Sequence, residues 1–401
     1  IKAVGFNTVR IRFHWGFHSA SKGKYDFSGG RDVNALLGLC EELGILVIAC
    51  LGPFIGSDVQ GGGYPFWLIQ RDHIRLRHLW RTGIKIWDDR FAAAEGEWYD
   101  QIISMLVGHE VVVRNARGRG CILMVQLENE LNARGALGLP LALHDETRLL
   151  ARMARERVLR VPLVTNNLHW PEDFSSLSAR VWTAIEKRLR AYRLIRSPYR
   201  ADISGFTACD IEATPVNVDA VAGTTRGDNA PMVALDLRCP SIEQGGSFSK
   251  QIELALSQGL SVFSLSGFFS ACDRGNLASP TYDQRFSNNC AAVAADGTLS
   301  ADARTARLVL HAARALEGQF AASDPVGSRP WVSRASRPAV RSVRVDGLPT
   351  GAVSVRRQRE YTTPATATQK TYSAGQEVAG VDDSTQLGIV AYVDGRNTPA
   401  D

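Results

Sequence analysis

The first thirteen residues, IKAVGFNTVRIRF (Ile1–Phe13), decide how the chain is built. IKAV reads as the last turn of a helix, Gly5 as its stop, and Thr8–Phe13 as a strand of β-branched and apolar residues. A helix that turns straight into a strand is one half of a βα repeat. Working outward, further strand-like runs occur at Ile45–Cys50, Cys121–Leu127, Pro162–Asn166, Asp202–Phe206, Met232–Leu237 and Leu260–Phe268. Helical stretches lie between them at Arg31–Leu43, Glu95–Gly108, Glu146–Leu159 and Ser249–Gln258, and a last one fits Ala301–Leu316. Strands alternating with helices of about ten to fifteen residues imply βαβ units and a parallel sheet. The crossovers are right-handed, and about eight of them close into a barrel. The expected fold is therefore α/β, a (β/α)8 barrel. Seven strand candidates follow the opening helix end. We expect the chain to be a fragment, with the first barrel strand upstream of Ile1 and an open seam where that strand belongs.

From about residue 319 the texture changes. VSRASRPAVRSVRVDG (332–347), GAVSVRRQREYTT (351–363) and LGIVAYVDG (387–395) read as short alternating strands with glycine turns. The expected organisation is a barrel over residues 1–318 and a small β-rich domain over 319–401.

Composition excludes several classes of function. Of the 401 residues 45% are hydrophobic and 22% charged, enough apolar side chain to bury a core and too much for a disordered chain. Lys and Arg number 46 against 41 Asp and Glu, a formal charge of +5. The basic residues, such as Arg75, Arg77, Arg152, Arg155, Arg157 and Arg190, are scattered and often sit near acids, which reads as solvated surface rather than a nucleic-acid face. There is no run of about 18 uncharged apolar residues, so no membrane span is expected. The seven cysteines form no CxxC pair. Mostly free, buried thiols and no metal site are expected.

The chemistry should sit where barrel strands end, at their C-terminal face. The run MVQLENEL (Met124–Leu131) ends a buried strand in Glu128, Asn129 and Glu130. Polar groups there are costly unless paired or functional. Glu130 reads as a carboxylic acid oriented by Asn129, or else as a helix N-cap. Glu128 alternates to the other face and reads as a structural ion pair. PMVALDLR (Pro231–Arg238) carries Asp236 near its C-terminal end, and the following CPSIEQGGSF carries Glu243. Two carboxylates facing each other across a barrel mouth suit a retaining glycosidase, in which they stand about 5–5.5 Å apart. His14 and Trp15 either line the mouth or pack as a structural pair.

These stretches resemble glycoside hydrolase family 35, the β-galactosidases, and among them the fungal-type multidomain members. LGPFIGSDVQGGGYPFWL (Leu51–Leu68) resembles the family's GPYINAExxGGGxPxWL, with Gly52, Pro53, Gly61, Gly62, Gly63, Pro65, Trp67 and Leu68 in place. MVQLENE matches its QxENE. RGNLASPTYD (274–283) and AADG (294–297) resemble its eighth-strand region, and GAVSVRRQREYTT resembles the start of its second domain. The resemblance implies hydrolysis of terminal β-galactosides with retention, no cofactor, a carbohydrate partner, and an extracellular or lysosome- or vacuole-like setting. It implies Glu130 as acid/base and Asp236 or Glu243 as nucleophile. Asn129, Ser57, Asp58, Trp15 and Asn166 would bind substrate. Several positions depart from the family: Asp236 stands where it has Glu, Gly56-Ser57-Asp58 where it has Asn-Ala-Glu, and SACDRG (270–275) where it has a Trp-containing loop. These departures leave open a catalytically weak member that still binds a glycan, or a hydrolase of shifted sugar specificity.

Overall fold

A computed structural model describes residues 1–56, 60–70, 75–77, 82–84, 88–129, 140–169, 203–208, 231, 233–238, 248–257, 260–266, 268, 292–293, 297–315, 317, 323–325, 341–345, 352–359 and 385–393. A 3-10 turn, Lys2–Val4, ends at Gly5, whose φ of 100° is the left-handed stop read from the sequence. Seven strands follow: β1 (Thr8–Arg12), β2 (Leu46–Gly52), β3 (Ile122–Leu127), β4 (Leu163–His169), β5 (Ile203–Ala208), β6 (Val233–Arg238) and β7 (Val262–Ser266). They hydrogen-bond in sequence order, each neighbouring pair parallel. β1 and β7 approach each other, yet among the described residues no ladder joins them, so the barrel is open at that seam.

Helices cover the outside. α1 (Val33–Leu43) starts at Asp32, whose side chain accepts from the Ala35 N–H, and stops at Gly44 in the left-handed region. α2 (Asp89–Leu106) is capped by Asp88, which accepts from the Arg90 N–H. α3 (Pro140–Glu156), α4 (Phe248–Ser257) and α5 (Ala301–Ala315) complete the layer described. The outer faces of β2 and β3 (Val47, Ala49, Leu51, Val125, Leu127) pack with Leu37 of α1 and with Phe91, Trp98, Ile102 and Leu106 of α2. Each fully buried large side chain of this kind contributes about 1.5–3 kcal/mol of apolar transfer.

The barrel interior is divided. Ile48, Met124, Val164, Ile203, Val233 and Leu235, all from the N-terminal halves of their strands, form an apolar floor. Above it, towards the C-terminal ends, the buried polar residues Gln126, Asn129, Asn166 and Asp236 accumulate. β6 carries one extra residue: Ala234 pairs with Phe206 but Asp236 with Thr207, and the register against β7 shifts over the same stretch. This bulge breaks the two-residue alternation, so Leu235 packs into the floor while the next residue, Asp236, also reaches a partner inside the barrel. Gly205 of β5 leaves the space Leu235 needs, since a Cβ there would lie 2.7 Å from Leu235 Cδ1 and 2.6 Å from the Thr165 carbonyl oxygen.

Towards the C-terminus, strands β8 (Ser323–Pro325), β9 (Arg341–Val345), β10 (Ala352–Arg359) and β11 (Thr385–Val393) form an antiparallel sheet in that order. No helix among the described residues is long and apolar enough to cross a membrane.

Candidate active site

β1 alternates Val9 and Ile11, which pack against the outer core, with Arg10 and Arg12. Arg10 thus enters the interior above the floor, its side chain only 7% exposed. Its Nε donates to Gln126 Oε1 at 2.7 Å and its Nη2 to Asn129 Oδ1 at 2.8 Å. Its Nη1 stands 3.9 Å from Asp236 Oδ2. Gln126 Nε2 donates to the Glu128 carbonyl at 2.7 Å and to Asn129 Oδ1 at 3.1 Å. Asn166 Nδ2 donates to the same oxygen at 2.6 Å. One arginine therefore links β1, β3 and β6 at the C-terminal end of the sheet, and the Asn129 carbonyl gathers donors from three directions.

The rim is held by a second set of bonds. Glu128 is fully buried with a φ of 55°, a conformation that costs a non-glycine residue about 1 kcal/mol or more and persists only when its surroundings fix it. Its N–H donates to the Gly52 carbonyl and its Oε1 accepts from the Phe54 N–H at 3.2 Å. Tyr99 Oη also donates to the Gly52 carbonyl, at 2.8 Å, and Trp98 Nε1 to that of Leu51 at 2.9 Å. The ends of β2 and β3 and the middle of α2 are thereby locked together beneath the loop that begins at Pro53.

Of the residues picked out in the sequence, Asn129, Asn166 and Asp236 come together in the Arg10 network. Asn166 is 1% exposed, and its contact with Asn129 makes it a support beneath the mouth. Trp15 is fully buried, stacked on Trp98 with ring centroids 6.0 Å apart and flanked edge-on by Tyr64 and Trp67. It packs in the outer core and does not line the cleft, so its assignment to substrate binding is corrected. His14 parts from it: the ring is half-buried, its Nδ1 accepts from the Phe17 N–H at 2.9 Å, and burial holds its pKa down at about 4. The buried Glu128 accepts from the Phe54 backbone amide. Glu130, Glu243, Ser57 and Asp58 lie outside the described residues. Arg10 escaped the sequence reading, although the alternation VRIRF was a signal: it sets two arginines on the same face of a strand whose other face is apolar.

The three thiols among the described residues are shielded by position. Cys40, Cys50 and Cys121 are free and buried. Burial raises the pKa of all three, that of Cys121 to about 12. Among the described residues no cluster of three metal-ligating side chains occurs.

The family model for glycosyl hydrolases family 35 matches residues 1–178. Beta-galactosidase-1-like protein 2 of Homo sapiens is 35% identical over 130 residues, 32% of this chain and 18% of that protein. The beta-galactosidase of Mus musculus is 33% identical over the same length, and probable beta-galactosidase B of Talaromyces marneffei 28% identical over 194 residues, 45% of this chain and 18% of that one. The matched region thus spans about a fifth of the length of these relatives. Among solved structures, an exo-β-1,4-mannosidase from Opitutaceae bacterium strain TAV5 superimposes with a TM-score of 0.55 at 15% identity, covering 79% of this chain and 54% of its own. A GH5_18 protein of Bifidobacterium longum subsp. infantis gives 0.55 at 12% identity, covering 78% and 71%. Likenesses at such identities establish the α/β barrel fold.

Proposed function

We propose, because the chain belongs to glycosyl hydrolases family 35 over residues 1–178, that the protein hydrolyses terminal β-galactosides with retention of configuration. The observation that carries this reading is the Arg10 network, which brings Asn129 and Asp236 from strands β3 and β6 to one place at the C-terminal end of the barrel. Glu130 follows Asn129 directly. In this reading Glu130 protonates the glycosidic oxygen while a carboxylate from β6 or the loop after it attacks the anomeric carbon. Water activated by the deprotonated Glu130 then releases the sugar from the glycosyl-enzyme. Asp236 is the nucleophile, with Glu243 the alternative, and Asn129, Ser57 and Asp58 contact the sugar. The division into a barrel over 1–318 and a β-rich domain over 319–401 belongs to the same reading.

The test is covalent trapping. A 2-deoxy-2-fluoro-β-galactoside with a good leaving group forms the glycosyl-enzyme and hydrolyses slowly, so peptide mass spectrometry identifies the ester. The label is expected on the peptide containing Asp236, and Glu130→Gln should abolish turnover of 4-nitrophenyl β-galactoside. A label on Glu243 moves the nucleophile. An inverted first product by NMR overturns the retaining mechanism.

One observation favours a second reading, a weak catalyst that retains sugar binding. Asp236 is one methylene shorter than a glutamate, and its carboxylate is turned towards Arg10 inside the barrel. A shortfall of about 1 Å can cost about a hundredfold in rate. Asp236→Glu should then raise kcat, whereas a fully competent site would lose activity with the same change.

A further inference from the structure

Amide side chains present either an oxygen or an NH2 group, and their neighbours decide which. In this site one neighbour leaves no choice. A guanidinium carries five N–H donors and no acceptor. The atom of Asn129 that lies 2.8 Å from Arg10 Nη2 must therefore be its oxygen, and the atom of Gln126 that lies 2.7 Å from Arg10 Nε must be its oxygen too. The remaining orientations follow. With Asn129 Oδ1 facing inward, Asn166 meets it with Nδ2 at 2.6 Å and Gln126 with Nε2 at 3.1 Å. Gln126 Nε2 can also satisfy the Glu128 carbonyl at 2.7 Å only because its oxygen is already turned to Arg10. Three donors saturate the Asn129 oxygen, and among the described residues nothing accepts from its Nδ2.

The geometry points to Arg10 as the positioning residue of the site: its donor-only head sets the flip of Gln126, Asn129 and Asn166, and so leaves the Asn129 NH2 as the end offered to a substrate acceptor. Arg10 itself lies in the layer beneath the mouth. Its Nη1, turned towards Asp236, lets the same side chain fix the β3 and β6 sides of the cleft relative to each other. The inference rests on the glycosidase reading for the identity of the acceptor, a sugar hydroxyl, but the amide orientations are independent of any activity.

The test is therefore made on both. In the 15N-labelled full chain, side-chain NH2 resonances report which amides are hydrogen-bonded. The Gln126 and Asn166 NH2 groups should exchange with solvent at least about tenfold more slowly than that of Asn129. Arg10→Gln replaces a donor-only head by one that also accepts, and should shrink or invert this difference. Arg10→Lys, whose head again only donates, should restore it. A wild-type pattern in which the Asn129 NH2 is the most protected overturns the proposal, even if Arg10→Gln fails to fold; so does an Arg10→Gln protein with unchanged exchange. Where the wild type cleaves 4-nitrophenyl β-galactoside, Arg10→Gln should lower kcat/KM by about a hundredfold, with partial recovery in Arg10→Lys, and equal losses in the two variants would count against flip control. Absence of turnover in the wild type sinks the galactosidase reading and leaves the exchange pattern to decide the role of Arg10.

Discussion

Adding one methyl group at Gly205 should disturb both the barrel floor and the candidate nucleophile. A Cβ at this position lies 2.6 Å from the Thr165 carbonyl oxygen, 2.7 Å from Leu235 Cδ1 and 3.1 Å from Leu235 Cγ. Ordinary carbon contacts begin about 3.5–4 Å apart, so Leu235 would have to retreat by about 1 Å. It cannot do so freely, because it packs against Ile203 and Val233 in a buried cluster, and the Thr165 carbonyl is backbone. Overpacking of this kind costs about 1–3 kcal/mol. For a domain of this size that is a fall in Tm on the order of 2–10 °C. The assay is urea unfolding of Gly205→Ala beside the wild type, followed by far-UV circular dichroism. Adding Leu235→Val should recover the leucine's share of the cost and leave the carbonyl's, so the double variant should be less destabilised than the sum of the singles. Because Leu235 is the bulge residue preceding Asp236, activity should fall further than stability explains. A Gly205→Ala protein within about 0.5 kcal/mol of wild type, or strictly additive singles, would refute the packing described for the bulge.

Asp236→Asn removes the carboxylate facing a buried guanidinium 3.9 Å away, and the loss should be on the order of the 3 kcal/mol seen when a buried pair is broken, read from urea midpoints at neutral pH. His14 is held near 4 in the folded chain against 6.5 for a free imidazole, so the unfolded chain binds the extra proton first. The contribution of His14 to stability should be flat above pH 6.5 and fall by at most about 1.4 kcal/mol per pH unit between 6.5 and 4, on top of a fall in the same direction from His18, whose pKa burial also lowers. His14→Ser, which can still accept from the Phe17 N–H, should flatten that slope; an unchanged slope would assign it elsewhere. Iodoacetamide at pH 8 should leave Cys40, Cys50 and Cys121 unmodified in the native chain and label all three in guanidinium, as peptide mass spectrometry will show; native labelling of Cys50 would contradict its place inside the barrel.

The strands were legible because burial on both faces writes itself as unbroken apolar runs, as in Leu46–Gly52 and Ile122–Leu127. Boundaries failed where polar residues have structural work. α2 begins at Asp89, six residues before the expected start, because Asp88, Asp89 and Arg90 look like loop until Asp88 is seen capping the helix. α3 likewise starts at Pro140, a residue tolerated in the first turn of a helix where its missing N–H is not needed. β4 runs three residues past the expected end at Asn166, to His169, because the polar pair Asn166-Asn167 reads as a strand end. Asn129 and Asp236, singled out for their place at strand ends, both face Arg10. Arg10 was missed because a lone basic residue reads as surface until the alternation around it is taken seriously. The bulge was out of reach altogether: a strict two-residue period sends Leu235 and Asp236 to opposite faces, and only the ladder shows that both serve the interior.

The split interior has a further consequence, for traffic. Six apolar side chains from β2 to β6 plug the N-terminal half of the barrel, and hydrocarbon conducts neither water nor protons. Among the described residues that plug closes the N-terminal half, so a group held above it exchanges with the solvent through the C-terminal mouth or through the open seam between β1 and β7.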